Sequence, residues 1–360
     1  MPAKKNVNLN HTLAQLRDEK NKISSASVAA LSGANKQDLA EFARVWVDVS
    51  TARRRAVARQ MVALAEEDFK LDFDLLFRHL LNDEDAQVRA AGIEGLWESE
   101  DAALIKPMIG FLRSDPDAQV RAAAADALGR FMLLAEYGRL REEQADIIGE
   151  ALLATIRSDS EEVTVRARAV EAVAYWSNEI VREIISAAYE DDMPEMRASA
   201  IVAMGHTADT RWRQTTQDEL DSPDPRMRFE AARASGELEN REATERLIEM
   251  LNDDDREVQS AAITALGQIG GKAAKRALTE IANSDDELLS MLANDALQEL
   301  EFADGSDLLL FDIREEALRV DADELDESAE VDDEESGDDE DDDWSDEEDE
   351  LSDEDADGDV

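Results

Sequence analysis

The sequence predicts an all-α protein, an α-solenoid of about eight stacked two-helix units followed by a disordered acidic C-terminal tail. Three observations predict it: a motif that returns at a fixed period, apolar spacing of helical period inside each copy, and a composition that turns almost wholly acidic after Val320.

The motif is an acidic turn, an apolar residue followed by Arg, and a run rich in alanine. It reads DEDAQVRAAGIEGL at Val88, DPDAQVRAAAADALG at Val120 and SEEVTVRARAVEAVA at Val165, and continues at Met196, Met227, Val258 and Leu289. The step is constant from Val165 through to Leu289; the step from Val88 to Val120 is longer by one position, and that from Val120 to Val165 by nearly half. A weaker first copy, TARRRAVARQMVALAE, centres on Arg54.

Taken in order, residues 1–37 read as a polar, mildly basic mobile arm with one short helix, and 38–300 as the solenoid. Within each unit an apolar helix such as REATERLIEML runs into Asn or Asp, and a second helix starts at the motif and ends near a Gly-rich turn. Pro116, Pro194, Pro223 and Pro225 fall two or four residues before an anchor, where proline opens a helix without removing an interior hydrogen bond. The surplus between Val120 and Val165, about 131–158, predicts a lengthened second helix and an extra turn that kink and divide the stack. Residues 301–320, with the apolar cluster FADGSDLLLFDI, are expected to cap the open end.

The repeated arginines Arg89, Arg121, Arg166, Arg197 and Arg228 invite a structural reading. In four copies an acid stands four residues earlier (Asp85, Asp117, Glu162, Asp224), a spacing that pairs acid and base on one helix for roughly 0.2–0.5 kcal/mol each. Stacking also allows each arginine to reach an acid of the neighbouring unit. Alanines then let successive second helices approach closely and bury the stripe that one unit alone leaves open. On this reading Arg121 fastens repeat to repeat, and Arg53, in the irregular first copy, matters less. Gln259 and Ser290 replace the arginine in the last two units, so the fastening is expected to be loosest there, and Ser235 replaces the apolar residue found at Leu128, Met204 and Leu266.

The turn Asp, the Val-Arg pair, the following Ala and the closing Leu-Gly resemble HEAT repeats, in particular the short variety of phycobilisome-lyase-type HEAT-like proteins. The resemblance covers about Asp38 to Leu300 and implies a fold more than a function.

Composition narrows the function. The formal charge is −50, of which Asp321 to Val360 carries −26, with no Lys or Arg, leaving −24 on 1–320. Such a tail holds too little apolar material to order itself. A net-negative body argues against nucleic acid, which requires a continuous basic face. Without cysteine there is no disulfide or thiol chemistry. No segment approaches eighteen consecutive apolar residues, so no membrane partner is expected and a cytoplasmic location is the simplest expectation.

Catalytic constellations are not evident. The three histidines, His11, His79 and His206, are scattered, and the carboxylates fall mainly in inter-helix turns as solvated caps, so neither an enzyme, a cofactor nor a metal site is expected. The string DEDADGD places Asp353, Asp355, Asp357 and Gly358 at the spacing that opens a calcium loop, but the sequence given ends before a closing Glu. SDEEDE and SDED, from Ser345 and Ser352, suit an acid-directed kinase. Trp97, Phe131, Tyr175, Trp176 and His206 lie just beyond second helices and, joined by Trp212, form a row along one edge if the units stack regularly. Two readings stay open for that row: a cover over the ends of the alanine-rich core, or a partner-binding edge.

The function expected is a non-catalytic scaffold or adaptor that binds other proteins. Two alternatives remain: a chaperone-like acidic decoy that holds basic proteins through the tail, and a chromophore lyase or isomerase subunit, implied only by the resemblance.

Overall fold

The computed structural model describes residues 2–302, with side chains from residue 9. Among these residues every regular element is helical. After α1 (Pro2–Arg17) and α2 (Ser25–Ala29), eight helix pairs follow. The first four are α3 (Lys36–Trp46) with α4 (Thr51–Glu67), α5 (Asp74–Leu80) with α6 (Ala86–Glu94), α7 (Ile105–Ser114) with α8 (Ala118–Glu136), and α9 (Glu142–Ile156) with α10 (Val163–Val173). The rest are α11 (Ile180–Tyr189) with α12 (Pro194–His206), α13 (Arg213–Glu219) with α14 (Pro225–Glu237), α15 (Thr244–Met250) with α16 (Arg256–Ile269), and α17 (Gly271–Ala282) with α18 (287–302).

Local chemistry sets the starts of the second helices. Asp85, Asp117, Asp224 and Asp255 stand at their N-caps, each side chain accepting from an amide of the first turn, and Pro194 and Pro225 open α12 and α14. The anchors Val88, Val120, Val165, Met196 and Val258 are all but inaccessible and begin the buried stripe.

Successive second helices meet through glycine and alanine. A Cβ placed on Gly129 of α8 would lie 3.0 Å from the Cα of Ala172 in α10; Gly205 meets Ala234 at 3.0 Å and Gly236 meets Ala265 at 2.9 Å in the same way. The first helices stand farther apart. Each unit is therefore a wedge, narrow on its second-helix side, and the second helices line the inner face.

Three expectations are corrected. The segment expected as a mobile arm is packed: Leu9, Leu13 and Leu16 of α1 and Val28 and Leu31 beyond it are buried, because α1 carries leucines at helical spacing against α3. Arg53 is not a lesser arginine, since its Nε donates to the carbonyl of Leu16 (3.1 Å) and its Nη2 to those of Gln15 (3.0 Å), Asn21 (2.6 Å) and Asp18, closing the C-terminus of α1. The surplus after Val120 does lengthen α8 and add a turn, but it does not divide the stack: Met1–Glu301 is one compact unit, and the Gly129–Ala172 contact bridges the irregular step. The capping cluster beyond Phe302, the calcium-like string, the kinase-type serines and the acidic tail lie outside the described residues.

Candidate functional site

The arginines come first because they repeat. Arg89 sends Nε and Nη2 to the two oxygens of Asp115 in the next unit (2.9 and 2.8 Å) while its Nη1 donates to the carbonyl of Asp83 in its own turn (2.9 Å). Arg228 repeats the geometry on Asp253 (2.8 and 2.8 Å) and the Ser222 carbonyl (2.9 Å). Arg121 grips Glu161 (2.7 Å) and the Asp115 carbonyl (2.8 Å). Arg166 bonds the Ile156 carbonyl (3.0 Å) and comes to 3.9 Å from Asp191, whereas Arg197 bonds only the carbonyls of Asp191 and Asp192. One guanidinium thus satisfies the orphan carbonyls ending its own first helix and crosses to the following turn.

The acid four residues before each arginine has a different task. Asp85, Asp117 and Asp224 cap helix amides and Glu162 makes no side-chain cap bond; none stands within 4.0 Å of its expected arginine. The expected i,i+4 pairing is corrected accordingly: Asp117 and Asp224 face their own amides, and Asp85, besides capping, is held by Arg55 of the preceding unit (2.9 and 2.5 Å). The carboxylates that receive the arginines stand just before the caps. Asp83, Asp115 and Asp253 each accept the amide two residues on (2.9 Å in all three) and present the remaining lone pairs to the preceding unit. A D-x-D doublet at the repeat period was the legible signal. Position 222, which corresponds to Asp253, is serine, so among the described residues no carboxylate pairs with Arg197; Gln259, which replaces the arginine, instead donates to the carbonyl of Asp253 (2.7 Å), and Ser290 to that of Ala282 (2.6 Å).

The residues of the expected edge divide between two depressions and the core. Tyr175, Trp176 and His206 converge on a groove of about 730 Å³ at the C-terminal ends of α8, α10 and α12, whereas Trp97, 43% exposed, belongs to a smaller depression beside Phe73 and Phe77. Phe131 is buried and Trp212 is half-buried against the core, away from the groove lining. Trp176 forms the floor: it lies over Gly149 of α9, where any side chain would collide with its ring, and its Nε1 donates to Asp146 (3.3 Å). The Tyr175 ring stacks on His206 with centroids 4.7 Å apart and planes 16° from parallel. Tyr137, absent from the expected edge, is 70% exposed and stands at the rim.

The groove is polar at its margins. Ser177 donates to Glu136 (2.8 Å), Arg182 comes to 3.6 Å from Asp209, and His206 Nδ1 is 3.4 Å from the Glu171 carbonyl. Burial, then the nearby Glu237 charge, pushes the Tyr175 hydroxyl up to about 12. Along the inner face beside it, burial between the second helices lifts the Asp126 carboxyl to about 6 although its side chain keeps 47% of its surface open to water. Among the described residues no three His, Asp or Glu side chains converge at metal-binding distance, and no helix is long and apolar enough to cross a membrane.

The family model for HEAT repeats matches residues 73–146 and 214–298. No curated protein matches the sequence. Among solved structures, the Escherichia coli protein YibA is 20% identical, with 70% of this chain and 98% of that one covered, at a TM-score of 0.38. The complex of CpcE and CpcF of phycocyanin lyase from Nostoc sp. PCC7120 is 20% identical over 63% of this chain and 87% of that one, at 0.45. Yeast importin-beta is 13% identical over 81% and 46%, at 0.43.

Proposed function

Because the chain is a HEAT-repeat protein, we propose that it is a non-catalytic scaffold that holds another protein through the groove at Tyr175 and His206. The observation that carries this reading is an open, preformed groove with rings at its rim and floor, set on helices held close by glycine–alanine contacts, with Arg121 of α8 clamped to Glu161. Stacked repeats present a long rigid surface, and aromatic anchors in a concave site supply most of the energy of a protein contact. Around the groove Ser177 is held by Glu136 and Asp209 by Arg182, contacts that fix its margins.

Affinity capture from the source cells tests it, with the intact chain and a Tyr175→Ala, His206→Ala double variant whose helical signal is first shown to match. The scaffold reading expects one protein partner, near stoichiometric, retained by the intact chain and lost by the variant. Retention of a linear pigment or another small molecule in place of a protein would overturn it in favour of a lyase-type role.

A further inference from the structure

Charge and ring chemistry narrow what the groove accepts, and we propose that it captures an arginine or lysine side chain projecting from a basic segment of the partner. This rests on the scaffold reading and adds the partner's chemistry to it. Four carboxylates line the groove, Glu136, Glu179, Asp209 and Glu237, against one cation, Arg182. Asp209 is already answered within the chain, by Arg211 at 2.8 Å and Arg182 at 3.6 Å.

Glu237 is not. Arg233 approaches it only to 3.9 Å, and among the described residues no donor hydrogen-bonds to it. Its carboxylate leans over Gly205, where an added Cβ would collide with Oε2, so it stands at the groove beside the Tyr175–His206 stack. Burial raises its carboxyl above the usual range, with His206 and Arg233 opposing; a cation entering the groove would favour the charged form that burial disfavours.

The rings complete the fit. Tyr137, 70% exposed at the rim, offers an electron-rich face to a cation, and Tyr175 lines the groove beside it with its ring stacked on His206. A guanidinium can lie flat on such a ring while forking onto a carboxylate, and a lysine stem can pack on the ring while its ammonium reaches the acid. Acidic segments are repelled, this chain's own residues 321–360 included, since they hold 26 acids and no base. The occupant is therefore a cation from another protein.

The five tryptophans permit a test on the full chain, because Trp176 floors the groove and Trp344 lies in the acidic tail. With 5-fluorotryptophan incorporated, the two fluorine resonances, assigned by Trp176→Phe and Trp344→Phe, report groove and tail separately. A capped peptide with one central arginine is titrated at about 0.3 M salt, where screening weakens loose capture by the tail, beside its citrulline counterpart of equal shape and no charge. The expected result is a saturable shift of Trp176 with the arginine peptide, weakened roughly tenfold by citrulline and by Glu237→Gln, a loss of about 1.4 kcal/mol. Tyr137→Ala, an exposed change that leaves the other resonances in place, should weaken it as well. Movement of Trp344 alone, no movement of Trp176, or equal response to citrulline would overturn the proposal. The scaffold reading fails separately: a captured protein released by the Tyr175→Ala, His206→Ala variant keeps it standing even when the arginine peptide does not bind.

Discussion

Arg197 and Arg228 occupy the same place in adjacent units, yet among the described residues Arg228 has a carboxylate to hold and Arg197 has none, because Asp253 in one following turn is Ser222 in the other. The Arg228 and Asp253 side chains keep only 16% and 10% of their surface accessible, so removing the guanidinium strands a nearly buried carboxylate. Arg228→Ala is expected to cost about 3 kcal/mol and Arg197→Ala about 1 kcal/mol, the latter from lost carbonyl bonds alone. Urea midpoints with unchanged slopes measure the difference, and equal midpoints would show that the carboxylate contributes nothing. The pH dependence follows from the sign of the shift. The hydrogen bond from Arg228 lowers the Asp253 carboxyl below its usual value, so its contribution is full above about pH 4 and is lost as pH falls through the lowered value. The gap between the intact chain and Arg228→Ala should therefore narrow under acid.

The helices were legible because each level of the sequence agrees with the next: caps, prolines and apolar anchors recur at one period, and α10, α12, α14 and α16 each begin two residues before their anchors. What escaped notice depended on direction rather than spacing. A four-residue separation said that Asp85 and Arg89 share a helix face, but Asp85 caps its own helix and receives Arg55 of the preceding unit, and the next unit's doublet, invisible to an intrahelical rule, takes Arg89. The groove was partly legible, since Tyr175, Trp176 and His206 came from the expected edge, while Tyr137 belongs to the irregular step and Glu237, at the end of α14, carries no aromatic signal. Glycine separates packing from propensity at this scale. Gly236 of α14 faces Ala265 so closely that a Cβ would stand 2.9 Å from its Cα, whereas Gly110 of α7 meets nothing within 4 Å. Gly236→Ala must push α14 from α16 and is expected to lose about 1–3 kcal/mol, while Gly110→Ala should gain about 0.5–1 kcal/mol from helix propensity. Thermal melts of the two variants decide it, and a stabilised Gly236→Ala would refute close helix contact as the basis of the stack.

Charge acts on the whole molecule. About half of the −50 resides in 321–360, and the remainder is spread over a body in which Arg89, Arg121 and Arg228 are committed to clamps. Capture by the tail and capture by the groove therefore differ in range. Attraction between a many-fold negative segment and a basic surface weakens as the Debye length shrinks from about 10 Å at 0.1 M salt to about 3 Å at 1 M, whereas a cation seated against Tyr175 and Glu237 is partly desolvated and less exposed to screening. Deleting 321–360 should leave the helical signal of 1–320 intact, since Met1–Glu301 is held by its own contacts. Affinity for the captured partner is then measured at about 0.1 and 1 M salt for the intact chain, the 1–320 truncation and Tyr137→Ala. The scaffold reading expects the truncation to remove only the salt-sensitive part of the affinity and Tyr137→Ala to lower what persists at high salt. Should truncation abolish binding at both salts while Tyr137→Ala changes nothing, the molecule is an acidic decoy that carries its tail on an inert solenoid.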